Sequence, residues 1–347
     1  MHWLLRRMKH RVLRSPPVML RVFVLSIVVL AYGATGFLFF EKPSNPELEW
    51  NEAIWYAFVT VTTVGYGDFS PATIGGRYLI AIPLMFFGIG LLGYILSLAA
   101  SALIEARSKE IKGMAKINLI DHLLICNYPN LNTIQRIIKE LAADGSFRDR
   151  DIVIVDDELE ELPAPLHGLK DPEVHFVRGN PSCQETLDQA NVMYARDALI
   201  LSKSEDAMSD ARNVVITLAI EDCNSTIRTV TQCVDPSTKE VLKRAHCDGI
   251  VCTTQFDVLF LSQEILDPGA SSVVAELTSN LKGQQIYVTE WKSQNTSFVN
   301  VANGCLNRGH LAIGVRRLGE NQLNPPNDFM VRKTDEIITI GPKRLYF

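Results

Sequence analysis

Apolar residues crowd one end of this chain. Two runs, Val18 to Phe40 and Tyr78 to Ile104, hold a single charged residue between them, Arg21, while the remainder alternates short apolar segments with polar ones. Each run exceeds the roughly 20 apolar residues that cross a bilayer as a helix, so both are expected to span a membrane. A cleaved signal peptide does not account for the first run, which is too long and lacks a small-residue cleavage site after it. Between the runs, Trp50 to Thr62 suits a short helix that dips into the membrane and stops. Such a segment is tolerable only where its non-helical continuation lines a cavity enclosed by protein.

Beyond the second run the period changes. His122–Asn127, Asp151–Asp156, Val174–Val177, Ala198–Leu201, Ile227–Thr231 and Gly249–Cys252 read as strands. Leu131–Ala143, with Ile134, Ile137, Ile138 and Leu141 on one face, reads as a helix, as do Ala207–Glu221 and Thr238–Ala245. Strands alternating with helices imply a parallel sheet covered on both faces. The expected fold class is therefore a two-span helical pore unit with a re-entrant helix, followed by a Rossmann-like α/β domain and a small α+β lobe.

Composition sharpens this picture in two places. The 347 residues, at a net charge of -5, suffice for two or three packed units. Arg6, Arg7, Lys9, Arg11 and Arg14 precede the first run, whereas Glu41, Glu47, Glu49, Glu52 and Asp68 lie between the runs. Positive-inside bias then sets both termini in the cytoplasm of an inner-membrane protein. All seven cysteines fall in the second part, where a reducing compartment implies free thiols. Membrane lipid is an expected partner and nucleic acid is not.

The stretch with the most specific chemistry is Thr63-Val64-Gly65-Tyr66-Gly67-Asp68. Its glycines accept backbone angles that side chains resist, so successive carbonyls can face one axis. With its short helix before it and a span on each side, the stretch resembles the selectivity filter of potassium channels. The resemblance implies potassium coordination by Thr63, Val64, Gly65 and Tyr66, an outer turn at Gly67, and support from Thr62, Asp68, Trp55 and Tyr56. Tyr66 is expected to pack against Trp55 and Tyr56, and Asp68 to reach the Trp55 indole. One chain supplies a quarter of such a cage, so a cyclic homotetramer follows. In the second span, Gly88-Ile89-Gly90 and Gly93 admit two explanations: close helix packing, or a gating hinge at Gly88. Neither span repeats arginines at every third position, so no voltage sensor is present and gating must arise elsewhere.

The α/β part resembles the RCK (regulator of conductance of potassium) domain, also called KTN, as found in calcium-gated RCK potassium channels. On that resemblance the chain divides into a basic terminus (1–17), pore domain (18–104), connector (105–119), Rossmann-like lobe (120–253), helical crossover (254–284) and C-terminal lobe (285–347). HLAIGVRR and DEIITIGP look like strands of the last. The implied function is a potassium channel, not an enzyme, gated by a cytoplasmic ligand through a ring of RCK domains. Similar channels assemble eight domains per pore, and an internal start at Met114 could supply the second four.

The crevice departs from the family pattern. Asn127-Tyr128-Pro129-Asn130-Leu131-Asn132 replaces the Gly-x-Gly-x-x-Gly that lets backbone approach a pyrophosphate. Asp156 and Asp157 end the second strand where a ribose would bind, and Gly179-Asn180 stands for the family's Gly-Asp. The crevice candidates are thus Asn127, Pro129, Asn132, Asp156, Asp157, Asn180 and Ser202. Positions matching known calcium carboxylates are Ser202, Gln232 and Val234, none charged, while Glu205, Asp206, Asp210, Glu221 and Asp222 could form a different divalent site. Calcium or a nucleotide therefore remains open as the regulatory ligand, as does a constitutively open pore with a structural RCK domain. A membrane-anchored dinucleotide enzyme would need an intact glycine fingerprint and a catalytic acid or base, and neither is found.

Overall fold

The computed structural model describes residues 16–147 and 150–347; the basic cluster Arg6–Arg14 lies outside them. The chain divides into two compact units between Ser108 and Lys109.

In the first unit, α1 (Pro16–Glu41) and α3 (Ile82–Ile111) flank the short α2 (Trp50–Val61). A π-helical turn, Gly76–Ala81, leads into α3. The stretches Val18–Glu41 and Gly76–Ile111 are long and apolar enough to cross a membrane. A capping box starts α2, with the Glu49 backbone N–H donating to the Glu52 carboxylate at 2.9 Å. At the other end, the Phe58 carbonyl accepts both from the Thr62 N–H at 3.0 Å and from Thr62 Oγ1 at 2.8 Å. Phe37, Leu48, Ala53, Tyr56, Ala57, Val61, Leu84 and Leu91 pack as the core of this unit. Phe23, Phe39, Phe86 and Ile104 face outward and are exposed, as apolar spans in lipid or against neighbouring copies would be.

The charged connector begins as helix. Glu105-Ala-Arg-Ser-Lys-Glu holds no glycine or proline, so α3 continues through Ile111 and stops only at Gly113, where φ is 66°. There the Met114 N–H returns to the Lys109 carbonyl at 2.8 Å, a left-handed C-terminal cap.

The second unit contains a six-stranded parallel sheet in the order β3-β2-β1-β4-β5-β6. Its strands are β1 (Leu123–Cys126), β2 (Ile152–Asp156), β3 (Val174–Arg178), β4 (Asp197–Ile200), β5 (Arg228–Cys233) and β6 (Gly249–Cys252). Between them run α4 (Leu131–Ala143), α5 (Gln184–Gln189), α6 (Ala207–Cys223) and α7 (Thr238–Arg244). One apolar cluster covers each face: Leu124, Val153, Val155, Val177, Ile216 and Ile220 on one side, and Ile125, Ile134, Ile138, Ile152, Ile154 and Phe176 on the other. Strands buried on both faces explain the unbroken apolar runs LLIC and IVIV. The strand order reverses between β1 and β4, which opens the switch-point crevice at their carboxyl ends.

Two helices, α8 (Thr253–Leu266) and α9 (Ala270–Thr278), then lead to the C-terminal lobe. Neither buries a residue, and Phe256, Leu259, Leu261 and Ile265 of α8 are exposed. The lobe comprises β7 (Gln285–Glu290), β8 (Thr296–Ser297), α10 (Phe298–Leu306), β9 (Leu311–Arg317), β10 (Glu320–Leu323), β11 (Met330–Val331) and β12 (Glu336–Gly341). Its main sheet is antiparallel, ordered β10-β9-β12-β7. Of the cysteines, all free, Cys126, Cys233, Cys247, Cys252 and Cys305 are buried.

Candidate functional site

The segment after α2 hangs from the end of that helix. The Val64 N–H donates to the Val59 carbonyl at 3.0 Å and the Thr63 N–H to the Thr60 carbonyl at 3.1 Å. Beyond these ties the backbone alternates, with positive φ at Thr63 (60°), Gly65 (58°) and Gly67 (80°). Alternation between left- and right-handed residues turns consecutive peptide planes so that their carbonyls face the same way. Gly65 and Gly67 take that conformation without strain. Within one chain nothing lies within 4 Å of a side chain placed at either, so the requirement seen in a single chain is conformational.

The aromatic supports divide their work. Trp55 stacks on Tyr66 with ring centroids 5.9 Å apart and planes 4° from parallel, and its indole N–H donates to Asp68 Oδ2 at 2.7 Å. Tyr56, expected beside Tyr66, instead stacks on Phe37 of α1 at 4.0 Å. Adjacent residues point about 100° apart around a helix, and within one chain Trp55 and Tyr56 meet different partners. Tyr66 is 69% exposed and Val64 53% exposed within a single chain.

Two further positions shape this unit. A side-chain carbon at Gly88 would fall 2.8 Å from Val61 Cα, so α3 uses this glycine to approach the end of α2. Gly90 and Gly93 have open space around them. Glu41, 5% exposed at the end of α1, accepts from the Ala72 N–H at 3.0 Å and from Thr73 Oγ1 at 2.6 Å. It anchors the strand of chain that follows Asp68, a role no local sequence signal marks, since its partners lie some thirty residues on.

In the second unit the crevice residues bond to one another, although Asn127 Oδ1 is buried without a partner. Asn127 takes φ 70°, the left-handed conformation that the first glycine of the fingerprint would supply. Its buried amide donates to the Leu201 carbonyl at 2.8 Å and to Asn213 Oδ1 at 3.0 Å. Asn213 in turn donates to Ser202 Oγ at 3.0 Å and to the Gln232 carbonyl at 2.9 Å. Asp156 is 1% exposed; its Oδ2 receives the Tyr128 N–H and Lys203 Nζ, each at 2.8 Å, and its Oδ1 receives the Glu158 and Leu159 N–H groups, also at 2.8 Å. Asp157 binds Lys203 Nζ at 3.0 Å and Arg212 at 2.7 Å. Burial pushes the Asp157 carboxyl up, but hydrogen bonds from Arg212 and Lys203 outweigh it and hold the group below the usual range. Pro129 and Asn132 lie at the rim, and Asn180 caps its own turn by accepting from the Ser182 N–H at 3.0 Å.

Among the acidic candidates around α6, Asp206, Asp210 and Glu221 are already occupied. Asp206 caps the helix through the Ser209 N–H at 2.8 Å. Asp210, 2% exposed, receives the Val234 and Asp235 N–H groups at 2.8 Å and Thr238 Oγ1 at 3.0 Å. Glu221 accepts from Thr229 Oγ1 at 2.7 Å.

A short helix held between two membrane spans, joined to a Rossmann-like lobe and a smaller one, defines a membrane channel that carries an α/β domain. Residues 24–105 match the ion-channel family and residues 118–231 match the slowpoke-like RCK domain of calcium-activated potassium channels. The chain therefore carries an ion-channel domain followed by an RCK domain, and its relatives include potassium channels of archaea and bacteria. It is 25% identical over 298 residues to potassium channel protein 1 of Methanocaldococcus jannaschii, covering 84% of this chain and 85% of that one. It is also 25% identical over 281 residues to the calcium-gated potassium channel TvoK of Thermoplasma volcanium, covering 78% and 76%. The human SLO3 gating ring shares the fold at a TM-score of 0.50 and 19% identity over 64% of this chain, which spans only 44% of that one.

Proposed function

We propose that four copies of this chain form a potassium-selective pore in the cell membrane, with Thr63 to Gly67 as its filter. One observation carries the reading: alternate positive φ at Thr63, Gly65 and Gly67 on a segment tied to a short helix between two spans. Potassium passes as substrate, its water shell replaced by carbonyls of Thr63, Val64, Gly65 and Tyr66 from four chains. The negative end of α2 favours a cation at the pore centre. The exposure of Tyr66 and Val64 in one chain supports their burial by neighbours in the tetramer. Both termini are cytoplasmic in this reading, and the Tyr66 end of the filter is outside.

Control comes from the RCK domains, paired into a ring through apolar faces such as that of α8. A ligand that binds the open ring more tightly shifts the pore toward opening, with α3 transmitting the change and Gly88 as hinge. Calcium and a nucleotide are the two ligands to test, calcium on the strength of the relative TvoK. A second reading, a pore open without ligand, draws support from Asp156 and Ser202, whose side chains are already engaged within the crevice.

Potassium flux through vesicles holding the purified full-length protein, with calcium first chelated and then millimolar, tests the proposal. A reversible change supports ligand gating by calcium. A steady flux at both levels, unaltered by nucleotide, favours the open pore. No potassium flux under any of these conditions sinks the channel reading.

A further inference from the structure

The amino ends of β4 and β5, at the far end of the sheet from the crevice, border a cavity of about 560 Å³. Four arginines line it, Arg150, Arg196, Arg228 and Arg344, with Asp144 and Asp197 as the acidic residues. A volume of this order falls within the roughly 300–1,000 Å³ that holds small-molecule ligands. The filter and the crevice use none of these side chains.

Sheet register brings the arginines together. Asp197 pairs with Arg228 across β4 and β5, and the Arg228 N–H donates to the Arg196 carbonyl at 3.0 Å. Arg150, just before β2, is held on three sides. Its Nη2 donates to Asp197 Oδ2 at 2.6 Å, its Nε to the Asp121 carbonyl at 3.1 Å, and its guanidinium lies 4.9 Å from the centre of the Phe147 ring. Arg344 enters from beyond β12, where Nη1 donates to the Val288 carbonyl at 3.2 Å and the guanidinium lies over the Tyr287 ring.

Acidic groups do not match this charge within the lining. Asp197, 7% exposed, is shared between two arginines: Oδ2 takes Arg150, and Oδ1 lies 2.7 Å from Arg228 Nε. Two further carboxylates stand outside the lining. Asp121 reaches Arg196 at 3.7 Å, and Glu140 is engaged by the Asn280 N–H at 2.6 Å and by Ser279 Oγ at 3.1 Å. A guanidinium carries five N–H donors in a planar fork, more than one shared carboxylate can engage. Positive charge gathered in a concave space attracts anions from solution. The Arg196 and Arg228 side chains, 63% and 70% exposed, leave the cavity open to solvent on their side.

We propose that this cavity binds a small phosphorylated molecule with at least two phosphoryl groups, held by Arg150, Arg196 and Arg228 from the sheet and by Arg344 from the C-terminal lobe. Each arginine fork matches a pair of phosphate oxygens, and four forks set around one cavity exceed what a single phosphoryl group engages. Phe147, the aromatic residue among those lining the cavity, is already covered by Arg150, so recognition rests on the phosphates and not on stacking. Bound there, the anion would tie the C-terminal lobe to the amino end of the sheet. The inference goes beyond the pore reading and does not rest on it.

Calorimetric titration of sodium pyrophosphate into the full-length protein in detergent, at fixed ionic strength, tests the site. Arg228→Gln and Arg344→Gln serve as variants, and sodium phosphate as the single-phosphoryl comparison. The expected result is one pyrophosphate site per chain, at least tenfold weaker in each variant, with phosphate binding at least tenfold weaker than pyrophosphate. Where Arg344→Gln fails to fold, the exposed position of Arg228→Gln carries the comparison. No pyrophosphate binding by the wild type, or equal affinity in wild type and variant, overturns the proposal. Phosphate binding as tightly as pyrophosphate overturns the assignment of two phosphoryl groups.

Discussion

Replacing Trp55 by Phe removes one hydrogen bond and little else. The bond from Trp55 Nε1 to Asp68 Oδ2, 2.7 Å long, joins an indole donor to an ionised acceptor. Bonds to charged groups contribute about 1.5–3 kcal/mol net, and Asp68 is exposed, which favours the lower end because water can take the vacant position. Asp68 keeps its contact with the Phe69 N–H at 3.0 Å, and the smaller phenyl ring would keep most of the stacking on Tyr66. A loss of about 1.4 kcal/mol is a factor of ten in an equilibrium constant. Trp55→Phe should therefore shorten the conducting lifetime of the filter about tenfold, read as faster decay of potassium current in reconstituted membranes. Asp68→Asn should act similarly, and the double variant should be little worse than either alone, since both remove one contact. Current decay unchanged in Trp55→Phe, or effects of the two single changes that simply add, would refute this reasoning.

Three other outcomes are expected. Gly88→Ala places a carbon 2.8 Å from Val61 Cα and should cost about 1–3 kcal/mol, seen as a lower Tm of the full-length protein; an unchanged Tm would show that close packing is not what this glycine serves. Burial pushes the His122 imidazole down to about 4, only partly opposed by the Ala190 carbonyl, so the folded chain refuses a proton that the unfolded chain accepts below about 6.5. Stability should be complete above that pH and fall by about 3 kcal/mol as pH drops toward 4, with a flatter pH dependence of Tm in His122→Gln; equal slopes in both proteins would contradict it. Asp156→Asn weakens the bond to Lys203, which keeps Asp157 at 3.0 Å, and should destabilise the domain by about 2 kcal/mol in urea unfolding, whereas an unmoved midpoint would mean that Asp156 is not a structural anchor.

How far the sequence could be read depended on whether a residue's partners were near it in the chain. The backbone of Thr63–Gly67 was legible because its requirement is local: alternate residues take positive φ, and glycine declares two of them. The strands were legible because burial on both faces leaves unbroken apolar runs, and the observed ends lie within two residues of those expected. Tyr56 stacks on Phe37 within the chain, a partner on another helix that the shared aromatic character of Trp55 and Tyr56 did not disclose. Glu41 and Asp210 gave no signal, since each binds backbone N–H groups more than twenty residues away. Asn127 looked like a lost glycine, and only the fold reveals that it supplies the same backbone angle and fills the crevice with its own amide.

The central claim is that the Thr63–Gly67 segment selects potassium, and the reversal potential of current through the reconstituted full-length protein tests it most directly. With potassium chloride on one side and sodium chloride on the other, the account expects reversal far toward the potassium equilibrium potential, with that preference lost in Gly65→Ala. A reversal potential near zero in the wild type, showing equal passage of sodium, would contradict it.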